Sequence, residues 1–239
     1  MTLLRSTLYA LAYWPLTLVF AIVLAALSLL PSRRPLCAGA RVYARLVLAL
    51  MRWTAGIRVE LSGMDNLPEG QAVFAAKHQS WGDPFPLYAH IKPLGFVAGE
   101  HLAKYPLVGR ILIRLGGVIL SSKGGEATRS RLQRSAEKLK REGSHVLIYP
   151  EGGIADPGGK KTYHKGVWHL YDAVQAPCVP VATNLGLAWS RRDFTKRAGR
   201  AAIHFQPPIE PGLDKDAFMA RLEAAVEGCT QELVEEGLG

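Results

Sequence analysis

His78 and Asp83 stand five residues apart in the stretch AKHQSWGDP, residues 76–84. A carboxylate bonded to one imidazole nitrogen orients the ring and stabilises its protonated form. The other nitrogen is then free to act as a base. On a regular helix the two side chains would diverge by ~140°. Across a strand-to-helix turn containing Gly82 they can meet. The same residues admit a plainer reading. Asp followed by Pro is a common helix start, with Asp83 as N-cap and Pro84 in the first turn; His78 would then be a loop histidine.

A second stretch, HVLIYPEGG at residues 145–153, is an apolar run ending in Pro-Glu-Gly-Gly. Glu151, Gly152 and Gly153 would place a carboxylate and backbone N–H groups at the carboxyl end of a strand, where ligands of α/β sheets bind. The alternative is a Gly-rich turn with a solvated glutamate. His78, Asp83, His101 and Glu151 do not form a recognised metal-ligand spacing, so no metal site is expected.

The elements that position these residues follow from periodicity. Short β-branched or apolar runs at 57–61, 72–76, 95–98, 118–121, 145–149, 178–183 and 201–205 read as strands. Helical patterns at 84–91, 107–115, 127–142, 165–172 and 214–235 alternate with them. That alternation predicts an α/β fold with a mostly parallel sheet flanked by helices. The stripe Phe218, Leu222, Val226, Cys229, Leu233 reads as core, as do Leu132, Ala136 and Leu139.

The chain has 239 residues, 49% hydrophobic and 21% charged, which excludes a disordered chain. Its three cysteines form no CxxC pair and argue against a disulfide framework or structural zinc; reduced thiols fit a cytosol. With 29 basic and 20 acidic residues the formal charge is +9, so an anionic partner is expected. Residues 6–30 carry no charge, and as a straight helix would reach roughly 37 Å, enough for a bilayer core. Pro15 interrupts the run, which could span with a kink or enter one leaflet and return. Arg33, Arg34, Arg41, Arg45 and Arg52 follow it and put the body of the protein on the cytoplasmic side. A helix at 38–56 carries Arg41, Arg45 and Arg52 on one side and Val42, Leu46, Leu50 and Trp53 on another, which suits the membrane interface. The basic helix at 127–142 lacks interleaved aromatics, so no nucleic-acid partner is expected. The organisation read here is a membrane anchor and interfacial helix over 1–56, then an α/β catalytic domain over 57–239.

Four blocks, in order, make the chain resemble the glycerolipid acyltransferases, and most of all the bacterial 1-acylglycerol-3-phosphate acyltransferases. They are His78–Asp83 as HxxxxD; Pro106 and Gly109 in Tyr-Pro-Leu-Val-Gly; Tyr149-Pro150-Glu151-Gly152; and Val179-Pro180-Val181. The resemblance implies that His78 takes a proton from an acceptor hydroxyl, which attacks an acyl thioester, with Asp83 orienting His78. No acyl-enzyme is needed, so Ser80 need not be a nucleophile. It implies a lysolipid acceptor and an acyl-CoA or acyl carrier protein donor as co-substrate, with no cofactor. It implies the cell inner membrane, with the catalytic domain on the cytoplasmic side and an anionic bilayer surface as partner.

The chain departs from the family at positive charges. Gly99, Ser122 and Ile154 stand where basic residues usually grip the acceptor phosphate. Lys123, Lys160, Lys161, His164 and Lys165 could supply replacement charge as point charges, and Lys123 is expected among the substrate-binding residues. Three other readings stay open: a different lysolipid acceptor, a thioesterase-like hydrolase, and a non-catalytic membrane-anchored lipid binder.

Overall fold

A computed structural model describes residues 1–99, 106–120 and 126–238. Seven strands form one sheet: β1 (Ile57–Ser62), β2 (Val73–Ala76), β3 (Leu94–Gly99), β4 (Val118–Leu120), β5 (His145–Ile148), β6 (Cys178–Thr183) and β7 (Gly199–Phe205), in the order β1-β7-β6-β2-β5-β3-β4. All neighbouring pairs are parallel except β6 with β7. The mixed α/β fold with a mostly parallel sheet is therefore as the alternating runs predict. Ser121, expected at the end of β4, lies outside the described residues.

β2 is central and all four of its residues are buried, as expected of a strand covered on both faces. The pleat sends Val73 and Ala75 to one side. There they meet helices α5 (Glu126–Arg141), α6 (Gly166–Val174) and α8 (Lys215–Leu238) through Leu132, Leu139, Leu170, Phe218 and Leu222. Phe74 and Ala76 point the other way, toward Phe205 and toward Leu87 of α3 (Pro84–His90). The buried stripe of α8 runs Phe218, Leu222, Val226, Thr230, Val234. Cys229 and Leu233, expected in that stripe, are only half-buried, because the stripe keeps a four-residue step where the expected pattern shifted by one.

Helix α1 (Thr2–Leu27) runs unbroken through Pro15. α2 (Arg34–Leu50) begins earlier than expected, with Pro35 in its first turn, and widens into a π-helical turn at Met51–Ala55. Gly56, at φ 74°, then turns the chain into β1. The face of α2 that meets the protein carries Leu36, Ala40, Ala44 and Val47. Val42, Leu46 and Trp53 are exposed, so the apolar stripe read from the sequence is not the core-packing face. Arg45 and Arg52 are exposed with it; Arg41 is half-buried, its Nε enclosed without a partner.

α1 is held against the rest of the chain over its whole length. The Lys196 amide donates to Ser6 Oγ at 2.7 Å. Tyr9 and Tyr13 set their rings edge-on to Trp189. Thr17 and Tyr43 share a hydroxyl hydrogen bond of 2.9 Å, and Leu24 joins Leu36 and Ala40. Its opposite face leaves Leu4, Leu8, Leu11, Trp14, Leu18 and Ile22 exposed. Two short elements complete the fold: α4 (Pro106–Arg114), which packs on α1, and α7 (Leu185–Ala188). α7 spans one turn, too short for a periodic signal.

Candidate active site

β2 delivers Lys77 and His78 to the carboxyl-terminal edge of the sheet, and the chain then turns sharply. Asp83 Oδ2 accepts hydrogen bonds from His78 Nδ1 at 2.8 Å, from the Gln79 amide at 2.7 Å and from the Ser80 amide at 2.8 Å. Asp83 precedes α3, but its side chain caps none of that helix's N–H groups. The carboxylate faces back into the 78–80 turn instead. The plain helix-cap reading therefore does not describe it. Ser80 is fully buried and its Oγ accepts from the Gly82 amide at 3.0 Å, closing the turn. Gly82 is required by close approach: a Cβ there would lie 2.8 Å from the Trp189 ring.

A carboxylate only accepts hydrogen bonds, so the geometry fixes the proton on His78 Nδ1 and leaves the lone pair on Nε2. The His78 side chain is 15% exposed, against 2% for Asp83. β5 lies beside β2 and ends in the second motif. The Tyr149 ring stacks on the imidazole, ring centres 4.0 Å apart and planes 20° from parallel. Burial and then the Asp83 charge hold the Tyr149 phenol well above its ordinary pKa, so it stays neutral. The His78 carbonyl accepts from the Ala155 amide at 2.7 Å, which ties the loop after β5 to the turn.

Glu151 is turned into the protein rather than toward open space. Its Oε1 accepts from Lys77 Nζ at 3.0 Å and from the Lys161 amide at 2.7 Å. Lys77, 1% exposed, also donates to both carboxylate oxygens of Glu227 at 2.8 Å and to the Gly159 carbonyl at 2.9 Å. Tyr163 donates to Glu227 at 2.8 Å. Gly152 sits at φ 64°, where a Cβ would strike the His164 ring. Its N–H is used by the Tyr149 carbonyl. Gly153 leaves room for Lys161 Nζ, 3.2 Å from where its Cβ would be. Ile154 is 7% exposed. Pro106 and Gly109 open α4, which follows β3 two strands from β2. Lys123, Ser122 and His101 lie outside the described residues. Among the described residues, no group of three or more His, Cys, Asp or Glu side chains is arranged to hold a metal ion.

Sequence reasoning singled out His78, Asp83 and Glu151 but not Lys77, Tyr149 or Glu227 as members of the same cluster. A lysine directly ahead of the histidine, at the end of a wholly apolar strand, was the available signal, since a buried ammonium requires a carboxylate. Nothing local marked Glu227, 150 residues away.

An imidazole at a strand end, oriented by a buried carboxylate, is an arrangement suited to proton transfer. A family profile described as Acyltransferase matches residues 58–184. The chain belongs to that family and is an acyltransferase. It is 27% identical to the 1-acyl-sn-glycerol-3-phosphate acyltransferase of Pseudomonas aeruginosa over 194 residues, 81% of this chain and 76% of that protein. It is 24% identical to the protein of the same name from Limnanthes alba over 171 residues, 70% of this chain and 60% of that protein. The crystal structure of the 1-acyl-sn-glycerophosphate acyltransferase of Thermotoga maritima matches with a TM-score of 0.78 at 21% identity, over 98% of each chain. It shares the fold.

Proposed function

We propose that the chain transfers a fatty acyl group from a thioester, acyl-CoA or acyl carrier protein, to the hydroxyl of 1-acylglycerol-3-phosphate, giving phosphatidic acid. The His78–Asp83 hydrogen bond carries this reading, because it leaves Nε2 as the base. Nε2 takes the acceptor hydroxyl proton as the oxygen attacks the thioester carbonyl carbon. The tetrahedral intermediate collapses, the carbon–sulfur bond breaks, and the departing thiolate takes the proton back from the imidazolium. Asp83 stabilises the imidazolium between these steps. Ser80 is buried and engaged with the Gly82 amide, so direct transfer needs no serine nucleophile. The reaction as written calls for no cofactor.

Residues 1–56 act as the anchor and 57–239 as the catalytic domain in this reading. α1 is 26 residues long and apolar enough to cross a membrane by length and composition. Because it lies along the domain, it supports embedding in one leaflet rather than crossing away from the protein. The arginines after it favour the cytoplasmic face of the inner membrane.

A different lysolipid acceptor is the second reading, favoured by one observation: Ile154, at a position where the family usually grips phosphate, is buried. The test is full-length protein with acyl-CoA and a panel of lysolipids, products read by mass. Phosphatidic acid should form from lysophosphatidic acid, and His78→Ala should abolish it. Preference for another lysolipid selects the second reading. Turnover retained in His78→Ala overturns the general base, and hydrolysis alone makes the chain a thioesterase.

A further inference from the structure

Between α1 and α2 runs an apolar groove of about 240 Å³, floored by Ala12, Leu16, Leu46, Ala49 and Leu50 and ending at Trp53. On the other side of Trp53 opens a cavity of about 580 Å³ into which Arg5, Arg52, Arg58 and Arg200 converge. The local structure explains the convergence. α1 brings Arg5 from its first turns, and the π-helical turn brings Arg52 beside Trp53. The β1–β7 register sets Arg58 directly opposite Arg200. Gly56 leaves the space that Arg5 fills: a Cβ there would lie 3.2 Å from Arg5 Nη1.

Like charges opposite one another on neighbouring strands repel. Among the described residues, the one carboxylate paired with these four guanidinium groups is Glu60, 3.5 Å from Arg200 Nε. The basin therefore carries net positive charge that an anion would neutralise. Guanidinium forks match phosphate oxygens. The neighbouring groove offers a track for a hydrocarbon chain. Trp53, 79% exposed, stands at the junction of charge and grease, the position aromatic side chains take at the headgroup level of a bilayer.

We propose that groove and basin together form a binding site for one anionic phospholipid of the surrounding bilayer. The headgroup phosphate lies on the arginines and one acyl chain lies along the groove between α1 and α2. The site goes beyond the catalytic reading and lies apart from His78: it sits on β1 and β7, and β6 separates them from β2. β7 runs antiparallel to β6, so the start of β7 and the end of β2 share one edge of the sheet. A lipid held at the basin thus turns the His78-bearing edge toward the membrane.

The test uses detergent-solubilised full-length protein titrated with dioctanoyl phosphatidylglycerol, dioctanoyl phosphatidylcholine or inorganic phosphate, with binding read by calorimetry. Phosphatidylglycerol should bind saturably at one per chain and more tightly than the other two. Arg52→Gln, Arg58→Gln and Arg200→Gln combined should weaken it by about a hundredfold, the product of roughly fivefold for each arginine. Ala49→Phe, which fills the groove, should weaken the lipid but not inorganic phosphate. Arg131→Gln, Arg134→Gln and Lys138→Gln combined, an equal charge change on α5, should leave binding unchanged. His78→Ala should also bind the lipid normally, which separates this site from the catalytic reading. Equal losses in the two triple variants would reduce the site to diffuse attraction and overturn the proposal. Inorganic phosphate binding as tightly as the lipid, or phosphatidylcholine matching phosphatidylglycerol, would overturn it as well.

Discussion

The Tyr149 ring lies against the His78 imidazole, ring centres 4.0 Å apart and planes 20° from parallel. Tyr149 follows β5 and His78 follows β2, so the stack joins two motifs far apart in sequence. Asp83 fixes His78 through one nitrogen and the ring fixes its plane. The Tyr149 hydroxyl itself is buried with no hydrogen-bond partner. Tyr149→Phe should therefore keep kcat and gain about 1 kcal/mol of stability, since an unsatisfied buried hydroxyl is removed. Tyr149→Ala should lower kcat and, through the cavity it leaves, cost about 3 kcal/mol or more. Steady-state kinetics with thermal denaturation checks both. A Phe variant as impaired as the Ala variant would give the hydroxyl a role the stack does not explain.

Asp83 offers a sharper division between chemistry and folding. Its Oδ2 gathers the imidazole and the amides of Gln79 and Ser80. Asparagine can present an amide oxygen to the same donors, but without the charge that stabilises an imidazolium. Asp83→Asn should keep the fold and lower kcat by about 10²-fold or more. Asp83→Ala should also lower the melting temperature, because the turn amides lose their acceptor. An Asn variant that loses stability while keeping kcat would make Asp83 a structural residue only.

Lys77 and Glu151 make a buried ion pair, with side chains 0% and 1% exposed, completed by Glu227 from α8. Lys77 keeps Glu227 when Glu151 is removed, so the loss is that of the charge-assisted hydrogen bonds from Lys77 and the Lys161 amide, about 1.5–3 kcal/mol. Glu151→Ala should show that loss in denaturant melts while leaving KM for the acceptor unchanged in the protein that remains folded. A normal melt with a raised acceptor KM would instead place Glu151 against the substrate.

His145 opens β5, and the Ala72 amide donates to its Nδ1 at 3.2 Å. Burial lowers its pKa below the ordinary histidine value near 6.5. The unfolded chain then binds the proton more readily. The stability this histidine contributes is whole above about pH 6.5 and is lost as pH falls below it. Melts of wild type and His145→Gln between pH 8 and 5 should show the wild type losing its advantage on acidification. Parallel curves would remove His145 from the pH response.

The sheet was legible because its strands are local facts: runs such as 178–183 are apolar and bounded by turn residues, and each is a strand. His78 with Asp83 was legible for the same reason, five residues spanning one turn. Neither feature needs distant information. What escaped were contacts made by topology. Lys77 meets Glu227 only because α8 packs on β6, the strand next to β2. Trp189 meets Tyr9 only because α1 folds back on the domain. α1 itself misled in a different way: Pro15 suggested an interruption, yet the helix passes through it. In an apolar setting a proline removes one helical hydrogen bond without offering the backbone water as a competing partner.

The proposed acceptor, lysophosphatidic acid, carries a phosphate that calls for a cation. Ile154 is buried, so an arginine there would place a charge inside the protein rather than restore a grip. Lys160 is already paired with Glu223. Lys161 is different. Its backbone amide is fixed on Glu151 Oε1 at 2.7 Å, and its ammonium lies over Gly153, at the end of the strand beside His78. It is exposed, and among the described residues no carboxylate pairs with its Nζ. A charge-assisted hydrogen bond contributes about 1.5–3 kcal/mol, and exposure argues for the lower end. Lys161→Ala should therefore raise KM for lysophosphatidic acid about tenfold, with kcat changed little. Lys161→Arg should keep KM near wild type. The Ala variant should matter less for a lysolipid without a phosphate monoester, because only the doubly charged headgroup depends on that cation. Initial rates with the two acceptors across the three proteins check this. An unchanged KM for lysophosphatidic acid in Lys161→Ala would remove Lys161 from the headgroup's contacts. An equal rise for both acceptors would mean that it shapes the turn rather than reads the phosphate.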